Sequence, residues 1–355
     1  MSSNHPAIPM LAQLKTHIWN EVQPYLKDPS YPAQFMVPAK YQPEADFHWT
    51  MSSDYPKRQG KYIRGSLVVL IAEAMGVPAE KAYKTAAAMQ ISEDWILIHD
   101  DFEDNSPTRR GQPALHHIYG DKLAVNAGDA LHALMWKILV DNQTLLGESL
   151  TIRLIDEFYT MIAHTALGQT VEMKWTQDNR VTDDSDWYFI ADSKTGYYSL
   201  AGPMRFGGII GNASETQLKL LTDLGLNLGR CFQLVDDTLD LTGNFAGLKS
   251  HSGDDIYEGK RTIPLGHLLR TASKSDSDKI ISILAKPREQ KTSSEVTWIL
   301  DQMHQHGSIT YAQNLATQYR DAALKIIDTK LTFLKHEPAL SNLKTISDFI
   351  LNRSY

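Results

Sequence analysis

Along almost the whole of this chain apolar residues recur at three- and four-residue steps, and hardly any stretch alternates with the period of two that a half-buried strand needs. That pattern restricts the chain to an all-α fold. Ile8, Leu11, Leu14, Ile18, Val22 and Leu26 mark a helix over 8–27. Helical patterns resume over 64–76, 79–103, 115–119, 121–140, 147–173, 187–201, 204–211, 214–243, 262–271, 275–286, 292–306, 308–336 and 338–352. Between the first two lies 28–59, where Pro29, Pro32, Pro38, Pro43 and Pro56, with several tyrosines and phenylalanines, predict an irregular arm packed by aromatic rings. The polar stretches 173–186 and 287–293 read as surface loops. No fixed-period repeat divides the chain, so 1–355 is read as a single helical domain.

Composition narrows the function classes. A net charge of −7 argues against a nucleic-acid partner and supplies no polybasic membrane tether. The longest apolar runs stay well below the roughly 18 residues of a spanning helix, and no signal-peptide pattern opens the chain, so no integral membrane segment is expected. Cys231 is the single cysteine; it excludes an intramolecular disulfide, reads as a small buried hydrophobe and fits a cytoplasmic setting.

The chemistry is concentrated at helix ends. Asp100, Asp101, Glu103 and Asp104 follow the apolar run Trp95-Ile96-Leu97-Ile98, and Asp236, Asp237 and Asp240 follow another. Residues four apart share one helix face, so Asp100 stacks on Asp104 and Asp236 on Asp240, with Asp101 and Asp237 flanking. Like charges at that spacing repel, and the C-terminal end of a helix dipole adds to the repulsion. A cation is implied. All-oxygen clusters suit magnesium, and two clusters facing across a cavity could hold several ions whose remaining sites bind a diphosphate as leaving group. One such cluster reads equally well as a solvated acidic cap; the pair carries the argument. Basic residues lie at anion-binding spacings: Lys61 and Arg64 near a helix start, Arg109 and Arg110 beyond the first cluster, Lys194 before Thr195-Gly196, and Lys260 in a glycine-flanked turn with Asp254, Asp255 and Glu258.

Together these residues resemble the trans-isoprenyl diphosphate synthases, the polyprenyl synthetase family, over roughly 55–330. The resemblance is carried by Asp100, Asp101 and Asp104 followed by Arg109-Arg110-Gly111, by Gly168-Gln169, Lys194-Thr195 and Phe232-Gln233 through Asp236, Asp237 and Asp240, and by Glu258-Gly259-Lys260 with Thr262 and Pro264. It implies a helical bundle around a deep central cavity, usually a homodimer, with three magnesium ions at the cavity mouth. By that likeness Asp100, Asp104 and Asp236 bind the metal, supported by Asp101, Asp237 and Asp240. Arg109, Lys194 and Lys260 hold the allylic diphosphate (dimethylallyl, geranyl or farnesyl), and Lys61, Arg64 and Arg110 hold isopentenyl diphosphate. Ionisation would leave an allylic cation stabilised by the diphosphate and by Thr195 and Gln233 oxygens. The isopentenyl double bond attacks it, and the released diphosphate takes the proton.

The departures matter. The family's basic run appears here as Gln59-Gly60-Lys61-Tyr62-Ile63-Arg64-Gly65, with one arginine and the proline lost, and Glu93 stands seven residues before Asp100, where a histidine or glutamine is usual. An ionised Glu93 repels a diphosphate unless Lys61 or an arginine pairs with it. Gly247-Leu248-Lys249 disturbs the order expected after the second cluster. In the resembled family the residues five and four before the first aspartate supply the chain-length floor; here they are Trp95 and Ile96, with room past them near Ser92 and Met89 and a second wall at Met161 or His164. By that resemblance the pair implies a C20 product, geranylgeranyl diphosphate, rather than C15 farnesyl diphosphate. The alternatives are a class I terpene cyclase and a regulatory subunit of a prenyl synthase.

Overall fold

The computed structural model describes residues 5–26, 36–243 and 253–351. The periodicity is realised as helices. Ala7–Val22, Ile63–Ala74, Tyr83–Glu103, Asp121–Val140, Glu148–Gln177, Glu215–Thr242, Ser308–Thr329 and Ala339–Leu351 are the longer α-helices. Most apolar side chains enter one large core, to which the Ile63–Ala74 helix contributes an unbroken buried run from Leu67 to Ala72. A smaller apolar cluster joins Leu241, Ile256, Leu265, Leu268, Ile280, Ile299 and Met303 beside it.

Three sequence expectations are corrected. Of the arm at 28–59, residues 28–35 lie outside the described part, but the rest is largely helical, as Gln42–Ser52 and Asp54–Arg58. Pro43 sits at the start of its helix, where a missing N–H costs nothing, so a proline that looks like a breaker marks a beginning. The segment expected as one helix over 187–201 starts earlier, at Asp184, because Asp183 and Asp186 form a reciprocal capping box. At Ala191 it changes into a π-helix, Ala191–Ala201. The only strands among the described residues, Thr108–Arg109 and Gln112–Pro113, form a hairpin whose turn residues Arg110 and Gly111 have φ of 53° and 77°.

The π-helix is pressed against the Glu215–Thr242 helix by small residues. A Cβ on Gly229 would lie 2.4 Å from Gly196 Cα, and one on Gly225 would lie 2.4 Å from Ala201 Cα. No side chain larger than hydrogen fits at either glycine, and the close approach puts Lys194 and Thr195 beside Gln233 and the second aspartate cluster. One stretch, Asp121–Leu146, is long and apolar enough to cross a membrane by length and composition; within this fold 39% of its most apolar 18-residue window is buried, and the helix packs along Tyr83–Glu103.

Candidate active site

Two adjoining cavities open at the ends of the Tyr83–Glu103 and Glu215–Thr242 helices. One, of about 230 Å³, is polar and is lined by Glu172, Lys194, Thr195, Gln233, Asp236, Asp237, Asp255 and Lys260. The other, of about 390 Å³, runs from Asp100 and Glu103 past Trp95, Ile96, Ile162 and Phe232 to Arg64 and Tyr198. Lys194, Thr195 and Gln233 line both, so the acid-walled space and the apolar space adjoin at these three side chains.

The first aspartate cluster divides by orientation. Asp100 faces the cavity, with Oδ1 3.4 Å from Lys194 Nζ and Oδ2 3.9 Å from Arg109 Nη2. Burial works against its ionisation, but Lys194, Lys260 and Arg109 outweigh that and hold its carboxyl below the ordinary range. Asp104 lacks so close a partner: burial and then the Asp100 charge push it up to about 6. Asp101 turns the other way. It is fully buried, accepts from Arg109 Nε with both oxygens at 3.0 and 2.9 Å and from Arg109 Nη2, and accepts from Tyr55 Oη at 2.6 Å. Its oxygens are committed, so it holds Arg109 rather than facing the cavity.

On the opposite wall Thr195 Oγ1 donates to Gln233 Oε1 at 2.9 Å, and Gln233 Nε2 donates to Asp237 Oδ1 at 2.7 Å. Burial and the Asp255 charge push the Asp237 carboxyl well up, and its Oδ2 is buried without a hydrogen-bond partner. Asp240 is fully buried, and its Oδ2 accepts from the Asp255 backbone N–H at 3.0 Å, which fastens the turn carrying Lys260 to the helix end. Lys260 lies 2.7 Å from Glu258 and 3.8 Å from Asp255. Burial disfavours its charge, but Asp255, Glu258, Asp104 and Glu172 more than offset this and raise it well above the usual lysine range. Lys260 thus feels the charge of Asp104 from one cluster, and it lines the polar cavity together with Asp236 and Asp237 of the other.

The polyprenyl synthetase family matches residues 48–303. The chain belongs to the polyprenyl synthetase family. Geranylgeranyl diphosphate synthase from Saccharolobus solfataricus is 31% identical over 310 residues, 87% of this chain and 90% of that one. Two solved structures share the fold. One is a decaprenyl diphosphate synthase from Rhodobacter capsulatus, with TM-score 0.82, 23% identity and 98% of each chain covered. The other is a geranylgeranyl pyrophosphate synthase from Corynebacterium glutamicum, complexed with isoprenyl diphosphate and magnesium, with TM-score 0.83, 21% identity and 97% and 99% covered. This chain is a trans-prenyltransferase with the all-α bundle of isoprenoid synthases.

In this polyprenyl synthetase the donors suit the magnesium that the family implies: hard carboxylate oxygens only, one of them orphaned in the interior at Asp237, and a crowded Asp104 that a cation would relieve. Among the described residues no three carboxylates or imidazoles are gathered into one ready coordination sphere. Lys194 and Lys260 stand among the acids instead, Lys194 bridging Asp100 and Glu172, the latter at 2.8 Å.

The residues expected for isopentenyl diphosphate separate. Arg64 lines the apolar cavity. The tight hairpin sends Arg109 to Asp101 and Arg110 to Asp94 at 2.8 Å, two carboxylates two helical turns apart. Burial pushes Asp94 up to about 7 against the pull of Arg110. Lys61 lies elsewhere, in a groove with Ile8, Leu11 and Phe349, its ammonium 6.0 Å from the Phe349 ring centre. The Gly247-Leu248-Lys249 segment lies outside the described residues.

The chain-length residues are also partly corrected. Trp95 and Ile96 line the cavity, and Trp95 stacks on His132 with ring centres 4.2 Å apart; His132 in turn accepts from Trp136 Nε1 at 3.0 Å. Met161 is buried against Gly202 and His164 is exposed beside Tyr197, so the second wall is formed by Ile162, Thr165 and Ala166. Ser92 and Met89 leave no passage: both are fully buried, and the Ser92 hydroxyl meets Tyr198 Oη at 3.0 Å.

Sequence reasoning missed Glu172, which holds Lys194, and Arg58, which fastens the hairpin through the carbonyls of Arg109 and Pro113 at 3.0 and 2.9 Å. Glu172 lies four residues beyond Gly168, on the same helix face, which is the one signal that pointed to it.

Proposed function

We propose that this chain condenses isopentenyl diphosphate head-to-tail with an allylic diphosphate and that its main product is the C20 compound, geranylgeranyl diphosphate. The observation that carries the reading is that the acid-walled cavity and the apolar cavity adjoin at Lys194, Thr195 and Gln233, as a diphosphate head beside a prenyl tail requires. Asp100, Asp104 and Asp236 would hold magnesium, with Asp237 and Asp240 in support; bound there, the metal neutralises the diphosphate and makes it a better leaving group. Lys194, Lys260 and Arg109 bind the diphosphate oxygens from the protein side. Thr195 and Gln233 aim oxygens at the place where positive charge develops on the allylic carbon. Isopentenyl diphosphate lies at Arg64 with Arg110 behind it, and its double bond attacks the allylic C1. The C2 proton is then lost to the departing diphosphate, so no side-chain base is required.

The C20 reading rests on the Trp95 indole, which would close the tunnel one turn and a residue before Asp100, with His132 stacked on it and Trp136 donating a hydrogen bond to His132. Incubating the purified chain with magnesium, labelled isopentenyl diphosphate and each of dimethylallyl, geranyl and farnesyl diphosphate tests this. A linear C20 alcohol after dephosphorylation supports the reading; a C15 alcohol overturns the length, a cyclic hydrocarbon supports a cyclase, and silence supports a regulatory subunit. In the same assay Trp95→Ala is expected to lengthen the product by at least one five-carbon unit, and an unchanged length would remove Trp95 as the floor.

A homodimer fits an uncovered apolar stripe. Ile152, Tyr159 and Leu167 recur at seven- and eight-residue steps on the Glu148–Gln177 helix and are 52–63% exposed, and Leu123 and Val140 of Asp121–Val140 are exposed as well. The single cysteine, Cys231, is buried and supports a cytoplasmic location, since the fold relies on no disulfide within the chain.

A further inference from the structure

We infer that Glu93 is a specificity-determining residue: its carboxylate occupies, as an internal anion, the arginine site assigned above to isopentenyl diphosphate, and the diphosphate must displace it to bind. This rests on the proposed condensation and deepens it at one subsite.

Glu93 lines the apolar cavity together with Arg64, and its side chain is 13% exposed. Oε1 lies 3.1 Å from Arg64 Nη1 and 3.6 Å from Arg110 Nη2, so one carboxylate bridges both guanidinium groups. Arg64 also donates to Ser199 Oγ at 2.8 Å, and Arg110 Nη1 donates to Asp94 Oδ1 and to the Tyr55 carbonyl, each at 2.8 Å. Tyr62, in the position where the resembled run has a second arginine, is buried against this cluster and brings a neutral phenol in place of a positive charge.

Two arginines therefore meet Glu93 and Asp94, and part of the attraction that would draw in a diphosphate is cancelled before it arrives, chiefly by the carboxylate that bridges them, Glu93. The internal anion is also an incomplete partner. Arg64 Nε, Arg110 Nη2 and Glu93 Oε2 are all buried without a hydrogen-bond partner, which costs free energy in the unliganded state. A diphosphate presents several acceptor oxygens and can satisfy both arginines once the glutamate has swung aside, whereas a monodentate carboxylate cannot. The consequence is weak binding of isopentenyl diphosphate, with the allylic site unaffected because its cations, Lys194, Lys260 and Arg109, belong to a separate set of contacts.

The test is calorimetric titration of isopentenyl diphosphate, without magnesium or allylic substrate, into the full chain and its E93Q, E93H and E93Q/R64Q variants. E93Q and E93H are expected to bind about tenfold more tightly than the wild type, and E93Q/R64Q is expected to lose that gain. Unchanged or weaker binding in both single variants overturns the inference, as does a gain that survives in E93Q/R64Q, since it would then arise elsewhere. A chain that elongates in the product assay yet shows no gain in E93Q or E93H loses this inference alone. If E93Q and E93H bind more tightly but no variant makes a prenyl product, the elongation reading is lost and the subsite assignment stands.

Discussion

Asp100→Asn is expected to lower kcat by about 10³-fold while leaving the fold nearly as stable as before. Asp100 lines the apolar cavity, and its neighbours there are the cations Lys194 and Arg109 at 3.4 and 3.9 Å, ion pairs that a magnesium-bound diphosphate would exchange for its own contacts. An amide keeps the shape but supplies no negative charge, so a divalent ion would lose an anionic ligand and the leaving diphosphate part of its neutralisation. Stability should change little because the substitution removes two opposing effects. It ends the attraction to Lys194, and it relieves Asp104, which burial and the Asp100 charge push up to about 6. Steady-state kinetics with saturating magnesium, beside a urea unfolding curve, checks both halves. Retained kcat would show that Asp100 does not serve the metal.

The neighbouring residue should behave in the opposite way. Asp101→Asn is expected to cost the fold about 3 kcal/mol, because removing one member of a buried ion pair leaves the other without compensation. Asp101 is fully buried, accepts from two nitrogens of Arg109 and also receives the Tyr55 hydroxyl at 2.6 Å. Tyr55 in turn accepts from the Leu115 backbone N–H at 3.2 Å, so the pair ties the Asp54–Arg58 helix and the hairpin to the Tyr83–Glu103 helix. The urea midpoint, measured at one fixed protein concentration, should fall, and the KM for allylic diphosphate should rise as Arg109 loses its anchor. Two adjacent aspartates of one motif would then separate cleanly, one by activity and the other by stability.

Much of this was legible in the sequence because it is written locally. The helices follow from spacing along each segment, and both aspartate clusters are visible as charge placed where apolar helices end. What could not be read depends on partners distant in the chain. Residues 191–201 carry an ordinary helical pattern, and nothing within them indicates a π-helix; its setting is the glycine contact between Gly196 and Gly229, thirty-three positions away. The hairpin is two residues per strand, too short for any period, and only Arg110-Gly111 hinted at a turn. Asp101 and Asp100 look alike as letters, yet Tyr55 and Arg109 decide that one is buried and the other faces the cavity. That Trp95 lines the cavity was legible from its distance to Asp100, whereas Ile162, Thr165 and Ala166 come from another helix whose rotation no local pattern reports.

The central claim is that both acidic walls grip the same metal-bound diphosphate, and a double-mutant cycle on its binding tests it most directly. Inorganic pyrophosphate would be titrated calorimetrically, with and without magnesium, into the wild type, D100N, D236N and the double variant. The account predicts that either substitution removes most of the magnesium-dependent affinity and that the double variant is little worse than either single one, the mark of residues acting on one ligand. Losses from the two walls that simply add, or a magnesium effect that survives D236N, would contradict it.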